Sequence, residues 1–137
     1  MIAVDTNLLV RYVVNDDREQ ALVAATFFDE NPCLVQHTVL LETVWVLAAK
    51  STYNMPREEV VSWIRRILGL PNVSIRDEKA VGKALEWYEG GMDFADALHF
   101  ATSHDVKGFV TFDRRMRNKA RQLNIPQNLI FLGKESH

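Results

Sequence analysis

The sequence has a single cysteine, Cys33, among its 137 residues. No internal disulfide can form, so nothing covalent staples the fold, and a reducing compartment is the natural setting. Charge of one sign is also missing: 16 Lys and Arg against 18 Asp and Glu leave a formal net charge of −2. That balance excludes a global attraction to nucleic acid or membrane, and any such binding must come from a local patch. No apolar run approaches the roughly 18 residues of a membrane span. The N-terminus has no basic region and meets Asp5 almost at once, so no signal peptide is expected, and a soluble cytoplasmic protein is. Glycine and proline are sparse, at 6 and 4, and no stretch reads as a linker, a repeat or low complexity. One domain over residues 1–137 is the expectation, and a chain of this size can bury roughly 70% of its extended surface.

What is there begins with an apolar run that stops at a carboxylate. Ile2, Ala3 and Val4 are too few for a helix pattern but suit a fully buried, central strand, with Asp5 at its carboxyl end, where open α/β sheets bind ligands. Asp5-Thr6-Asn7 supplies helix-start residues, so Asp5 taken alone reads equally as a cap. Gly108 to Asp113 repeats the pattern near the other end: a short apolar strand closing on an aspartate.

Between these, the periodicity predicts a helix over Arg18–Glu30 with Leu22, Ala25 and Phe28 inward. A strand follows at Cys33–Gln36, then a helix entered at His37-Thr38, with Thr38 as its cap. Val39–Ala49 is apolar nearly all round, the mark of a buried helix, and Trp45 is expected in the core. Glu42 is its only charged residue: either an ordinary Glu of an exposed first turn, or a carboxylate that needs a base, a donor or a metal ion as partner. Pro56 opens a further helix, whose stripe is Val60, Val61, Ile64, Ile67 and Leu68, with Trp63 beside it. Val73–Ile75 reads as a strand. Asp77 is the expected cap of a helix with Ala80, Val81, Ala84, Leu85 and Tyr88 inward. In Met92–Ala101 the residues Asp93 and Asp96 stand three apart, the spacing of a cap and its third helical residue. Residues 114–121 hold five cations in eight positions, which is a solvated helix face or a phosphate-binding patch. Asn128–Leu132 is the expected edge strand, and the tail after Gly133 is expected to fray. The alternation of strands and helices predicts an α/β fold, three-layer α/β/α, with a central, mainly parallel sheet of about five strands.

In a parallel sheet the strands' carboxyl ends and the starts of the following helices share one edge, so Asp5, Glu42, Asp96 and Asp113 can converge. Two carboxylates ~4 Å apart repel by about 4 kcal/mol at an effective dielectric of ~20. Four would require a cation, and an all-oxygen site suits Mg²⁺ or Mn²⁺ rather than Zn²⁺. Such ions can orient and deprotonate water and steady the leaving oxygen of a phosphodiester.

The ordered set Asp5-Thr6-Asn7, Glu42 in an apolar helix, Asp93-Phe94-Ala95-Asp96-Ala97-Leu98-His99 and Thr111-Phe112-Asp113 resembles a PIN-domain ribonuclease of the VapC type, the toxin of toxin–antitoxin pairs. The resemblance covers essentially the whole chain. It implies that Asp5, Glu42, Asp96 and Asp113 are the metal-binding, catalytic acids, with Asp93 an accessory acid. It implies that Thr6, Asn7 and Thr111 hold those acids or the attacking water in place. It further implies cleavage of RNA with Mg²⁺ or Mn²⁺, a homodimer, and a cognate antitoxin whose tail enters the acidic site. On this view Arg114, Arg115, Arg117 and Lys119 grip RNA phosphates. The alternative is a non-catalytic module whose acidic cleft binds a basic peptide or RNA. A haloacid-dehalogenase-like phosphatase is disfavoured, since Asn7 stands where its second acid belongs. A receiver domain is disfavoured because it needs paired acids at the first strand.

Overall fold

The computed structural model describes residues 1–125 and 128–134. Along them run β1 (Ile2–Ala3), α1 (Thr6–Val14), α2 (Arg18–Glu30), β2 (Cys33–Val35), α3 (His37–Ala48), α4 (Arg57–Leu68), β3 (Val73–Ile75), α5 (Glu78–Glu89), α6 (Phe94–Thr102), β4 (Phe109–Thr111), α7 (Arg114–Gln122) and β5 (Leu129–Phe131). Every strand pairing is parallel, as an alternating α/β chain requires. The expected frayed tail falls largely on residues 135–137, which lie outside the described residues.

The chain forms two compact units, Met1–Glu78 and Lys79–His137. The five expected strands are present, but among the described residues they form two ladders rather than one sheet: β1-β2-β3 in the first unit and β4-β5 in the second. Each strand is two or three residues long, so each exposes few backbone groups for pairing. β1 is accordingly not the central, fully buried strand expected of Ile2–Val4. Among the described residues it pairs with β2 alone, Ile2 is 46% exposed, and only Val4 of the three is buried.

In the first unit, α1 begins where Asp5 accepts a hydrogen bond from the Thr6 amide, and it ends on Asn15 in the left-handed region. α2 keeps the expected bounds, capped by Asp17, whose side chain accepts from the Gln20 amide. Its inward face is Ala24 and Phe28; Leu22, expected inside, is 69% exposed. The face four residues apart, Ala24 and Phe28, carries the contact with α1, where Phe28 meets the Tyr12 ring edge-on at 5.5 Å. Tyr12 also meets Trp63 of α4 edge-on at 6.4 Å. Val60, Val61, Ile64 and Ile67 bury the α4 stripe as expected, each fully buried apolar side chain contributing roughly 1.5–3 kcal/mol. The Asn72 side chain donates to the Phe28 and Asp29 carbonyls and pins the entry to β3.

The second unit packs α5 through Ala80, Val81, Ala84, Leu85 and Tyr88, all buried as expected, with Trp87 added. Phe100 of α6 is its anchor: its ring lies 5.9 Å from Trp87 of α5 and 5.6 Å from Phe109 of β4. Tyr88 and Phe94 meet edge-on at 5.6 Å. Among the described residues no helix is long and apolar enough to cross a membrane.

Candidate active site

Three of the acids found in the sequence are set at helix starts by their own hydrogen bonds. Asp5 Oδ1 accepts from the Thr6 amide at 2.8 Å, Asp93 Oδ2 from the Asp96 amide at 3.1 Å, and Asp113 Oδ1 from the Met116 amide at 3.2 Å. Each cap satisfies an orphan amide of its helix and uses one carboxylate oxygen. Asp5 and Asp113 each follow a strand by two positions, which is where the sequence put them. Thr111 fixes the second of these junctions, its Oγ1 accepting from the Asp113 amide at 2.9 Å. Thr6 is buried and Asn7 exposed in the first turn of α1.

In the second unit three acids share one electrostatic neighbourhood. The Asp96 carboxyl is pushed above the ordinary carboxylate range, chiefly by burial, then by the negative charges of Asp93 and Asp113, with His99 opposing. Asp113 lies 17 residues beyond Asp96 in sequence, so the interaction is made by the fold. The turn that delivers Asp93 depends on Gly91, whose φ of +110° disfavours any L side chain.

In the first unit, Glu42 is exposed, as an ordinary Glu of a helix surface would be, and needs no buried partner. Its neighbour one turn on, Trp45, is 62% exposed and not in the core. Helix α3 buries Leu40, Thr43, Val44 and Leu47. A stripe at that spacing leaves Thr38, Glu42 and Trp45 on the opposite face, which is why an apolar composition alone misread this helix. Nor does Thr38 cap it; α3 starts at His37, after Gln36. His37 Nε2 donates to the Arg76 carbonyl at 2.7 Å, tying the start of α3 to the end of β3. Asp77, the expected cap of α5, directly precedes that helix and takes φ 53°.

The basic helix divides by face. Arg114 and Arg115 are exposed, and Arg114 Nη2 donates to the Lys134 carbonyl. Arg117 is only 5% exposed, its guanidinium 4.3 Å over the Phe131 ring and its Nε donating to Asn118. Lys119 is half-buried and donates to Gln122. Phe112, beside Asp113, is 75% exposed.

A PIN-domain family model matches residues 2–122. The chain belongs to the PIN domain family. PIN domains are generally nucleases that use divalent metal ions, and the α/β fold with parallel strands is the one the family implies. A comparison with curated proteins finds no match. The donor chemistry suits a hard divalent cation: Asp93, Asp96 and Asp113 offer only carboxylate oxygens, and the charges of Asp93 and Asp113 both act on Asp96. Among the described residues, however, no group of three His, Cys, Asp or Glu side chains is placed so that it could hold a metal ion as it stands.

Proposed function

We propose that this PIN-domain protein is a metal-dependent endoribonuclease, the toxin of a toxin–antitoxin pair. The observation that carries the reading is the Asp96 carboxyl, raised by burial and by the negative charges of Asp93 and Asp113, a crowding that a divalent ion would relieve. Asp5, Glu42, Asp96 and Asp113 are the proposed metal-holding and catalytic acids, with Asp93 accessory. Mg²⁺ or Mn²⁺, when bound, supplies a lowered water pKa and charge stabilisation at a phosphodiester. The chain's own residues do the rest. Thr111 orients the Asp113 backbone through their hydrogen bond. Thr6 and Asn7 steady the first-strand junction, and Glu42, exposed on α3, accepts a proton from the attacking water. Arg114 and Arg115, exposed in the first turn of α7 next to Asp113, hold RNA phosphates. The same acids would receive a cation from the cognate antitoxin, and the active form is proposed to be a homodimer.

Purified protein incubated with RNA is expected to cut it with Mn²⁺ or Mg²⁺, to stop in EDTA, and to leave DNA intact. Intact RNA in the presence of metal would remove the nuclease reading. The RNA-gripping assignment is tested apart from cleavage. Arg114→Ala with Arg115→Ala should weaken binding of uncut RNA in EDTA and reduce the slope of affinity against salt by about one to two counter-ions. An unchanged slope returns both residues to the solvated surface.

A further inference from the structure

The two faces of the β4-β5 ladder have different surroundings. Phe109 packs on Phe100 and Phe131 lies under the buried Arg117 guanidinium, so one face belongs to the core. Val110 and its register partner Ile130 alternate with these residues and are exposed. The Leu132 amide donates to the Thr111 carbonyl at 3.0 Å, so the pairing runs one residue further and brings Leu132 alongside Phe112. Both are exposed. The open face is therefore an apolar shelf that ends one residue before Asp113. We propose that Phe112 is the platform on which a nucleobase beside the scissile phosphate stacks, so that RNA is accepted only where that base is unpaired. The proposal rests on the nuclease reading above and adds a specificity-determining residue to it.

Of the seven phenylalanines, Phe112 alone is exposed, and an aromatic face left open beside polar groups is suited to an occupant that is flat and partly polar itself. Its neighbours say which. Asp113 follows directly, its α-carbon about 3.8 Å away. Arg115 is exposed in the first turn of α7 and has no ion-pair partner among the described residues. A ring set next to a metal-binding acid and a free cation complements a nucleotide, which carries a flat base and an anionic phosphate one sugar apart. Bases inside a duplex stack on one another, so only an unpaired base can leave its strand for a side chain. The shelf has no hydrogen-bonding side chain, since Val110, Phe112, Ile130 and Leu132 are all apolar. It responds to how well a base stacks and not to its edges. A purine, with two fused rings, is therefore expected beside the cut in preference to a pyrimidine.

Binding and cleavage are measured separately on the whole protein. In EDTA, a short single-stranded oligoribonucleotide is titrated while the Phe112 ring signals, assigned by their loss in Phe112→Leu, are followed by NMR. They are expected to move upfield, and the same strand annealed to its complement should leave them in place. Phe112→Leu and Phe112→Ala should each weaken single-strand binding by about tenfold. The slope of affinity against salt should not change, because no charge is removed, and Phe112→Trp should keep the affinity. The side chain is exposed, so these variants keep the fold. With Mn²⁺, the wild type should cut preferentially beside purines and Phe112→Leu should lose that preference. Unmoved ring signals, equal movement with the duplex, or full affinity in Phe112→Leu would overturn the proposal. Ring signals that move with protein concentration in the absence of RNA, and not on adding it, would assign the shelf to a second copy of the chain and overturn it as well. RNA cleavage with unmoved ring signals overturns this platform alone. Ring movement without cleavage in Mn²⁺ overturns the nuclease reading and leaves Phe112 a stacking platform for unpaired RNA.

Discussion

Asp96→Asn is expected to lower RNA cleavage by about a hundredfold or more and to make the metal-free protein more stable at neutral pH. The first effect follows from the proposed metal role: losing even a group that only orients a ligand costs about 10–100-fold, and losing a ligand costs at least as much. The second follows from the neighbourhood of Asp96, whose carboxyl is raised by burial and by Asp93 and Asp113. A raised value means that the folded state holds the proton more tightly than the unfolded chain does. The stability this confers is full below the unfolded carboxylate value, near ~4, and is lost as pH rises through the higher folded value. Asn carries no charge and loses nothing over that interval. In EDTA, the urea midpoints of the two proteins should therefore diverge as pH rises from the acid range, with the variant ahead at neutrality. Adding Mn²⁺ should stabilise the wild type more than Asp96→Asn, because a cation relieves the same repulsion. Undiminished cleavage by the variant would remove Asp96 from the chemistry. Midpoints that stay parallel across the pH range would remove the crowding of its charge.

The parts legible in the sequence are those that local chemistry decides. A cap such as Asp93 is read from one residue and the amides just beyond it, and the bounds of α2 and the stripe of α4 come from a 3.6 period. The same is true of Asp5 and Asp113, whose place after short apolar runs needs no tertiary information. Where the fold assigns a face, composition was a poor guide. An apolar surround said that α3 is buried, yet helical geometry leaves Glu42 and Trp45 outward. Leu22 lost its place inside to the small Ala24, because the contact with Tyr12 runs through Phe28. The division of the strands into two parallel ladders depends on backbone pairings among residues dozens of positions apart, which no period records. Within the basic run, five cations looked alike in sequence; their sorting into exposed Arg114 and Arg115 and buried Arg117 depends on where the Phe131 ring arrives.

Phe100→Ala is expected to cost about 3–5 kcal/mol of folding stability. Phe100 is 1% exposed, and its ring packs against both Trp87 and Phe109. Truncating it removes two ring–ring contacts and leaves a cavity that α5, α6 and β4 cannot all close upon, since each is held by other buried residues: Leu85 on α5, Leu98 on α6. Against a total stability of about 5–15 kcal/mol, the loss should bring the urea midpoint down sharply with little change in slope. Phe100→Leu fills much of the space and should cost clearly less. The consequence for the site follows from the chain. Asp96 sits one turn before Phe100 on α6, and Asp113 follows the strand that carries Phe109. The Phe100–Phe109 contact at 5.6 Å is thus the packing that holds the two acids in one neighbourhood. In Phe100→Ala the pH dependence assigned to Asp96 should shrink along with the midpoint, whereas Phe100→Leu should keep it. A midpoint in Phe100→Ala within experimental error of the wild type would mean that this ring does not anchor α6. A full Asp96 response in a strongly destabilised variant would mean that the acids are held together by something other than this core.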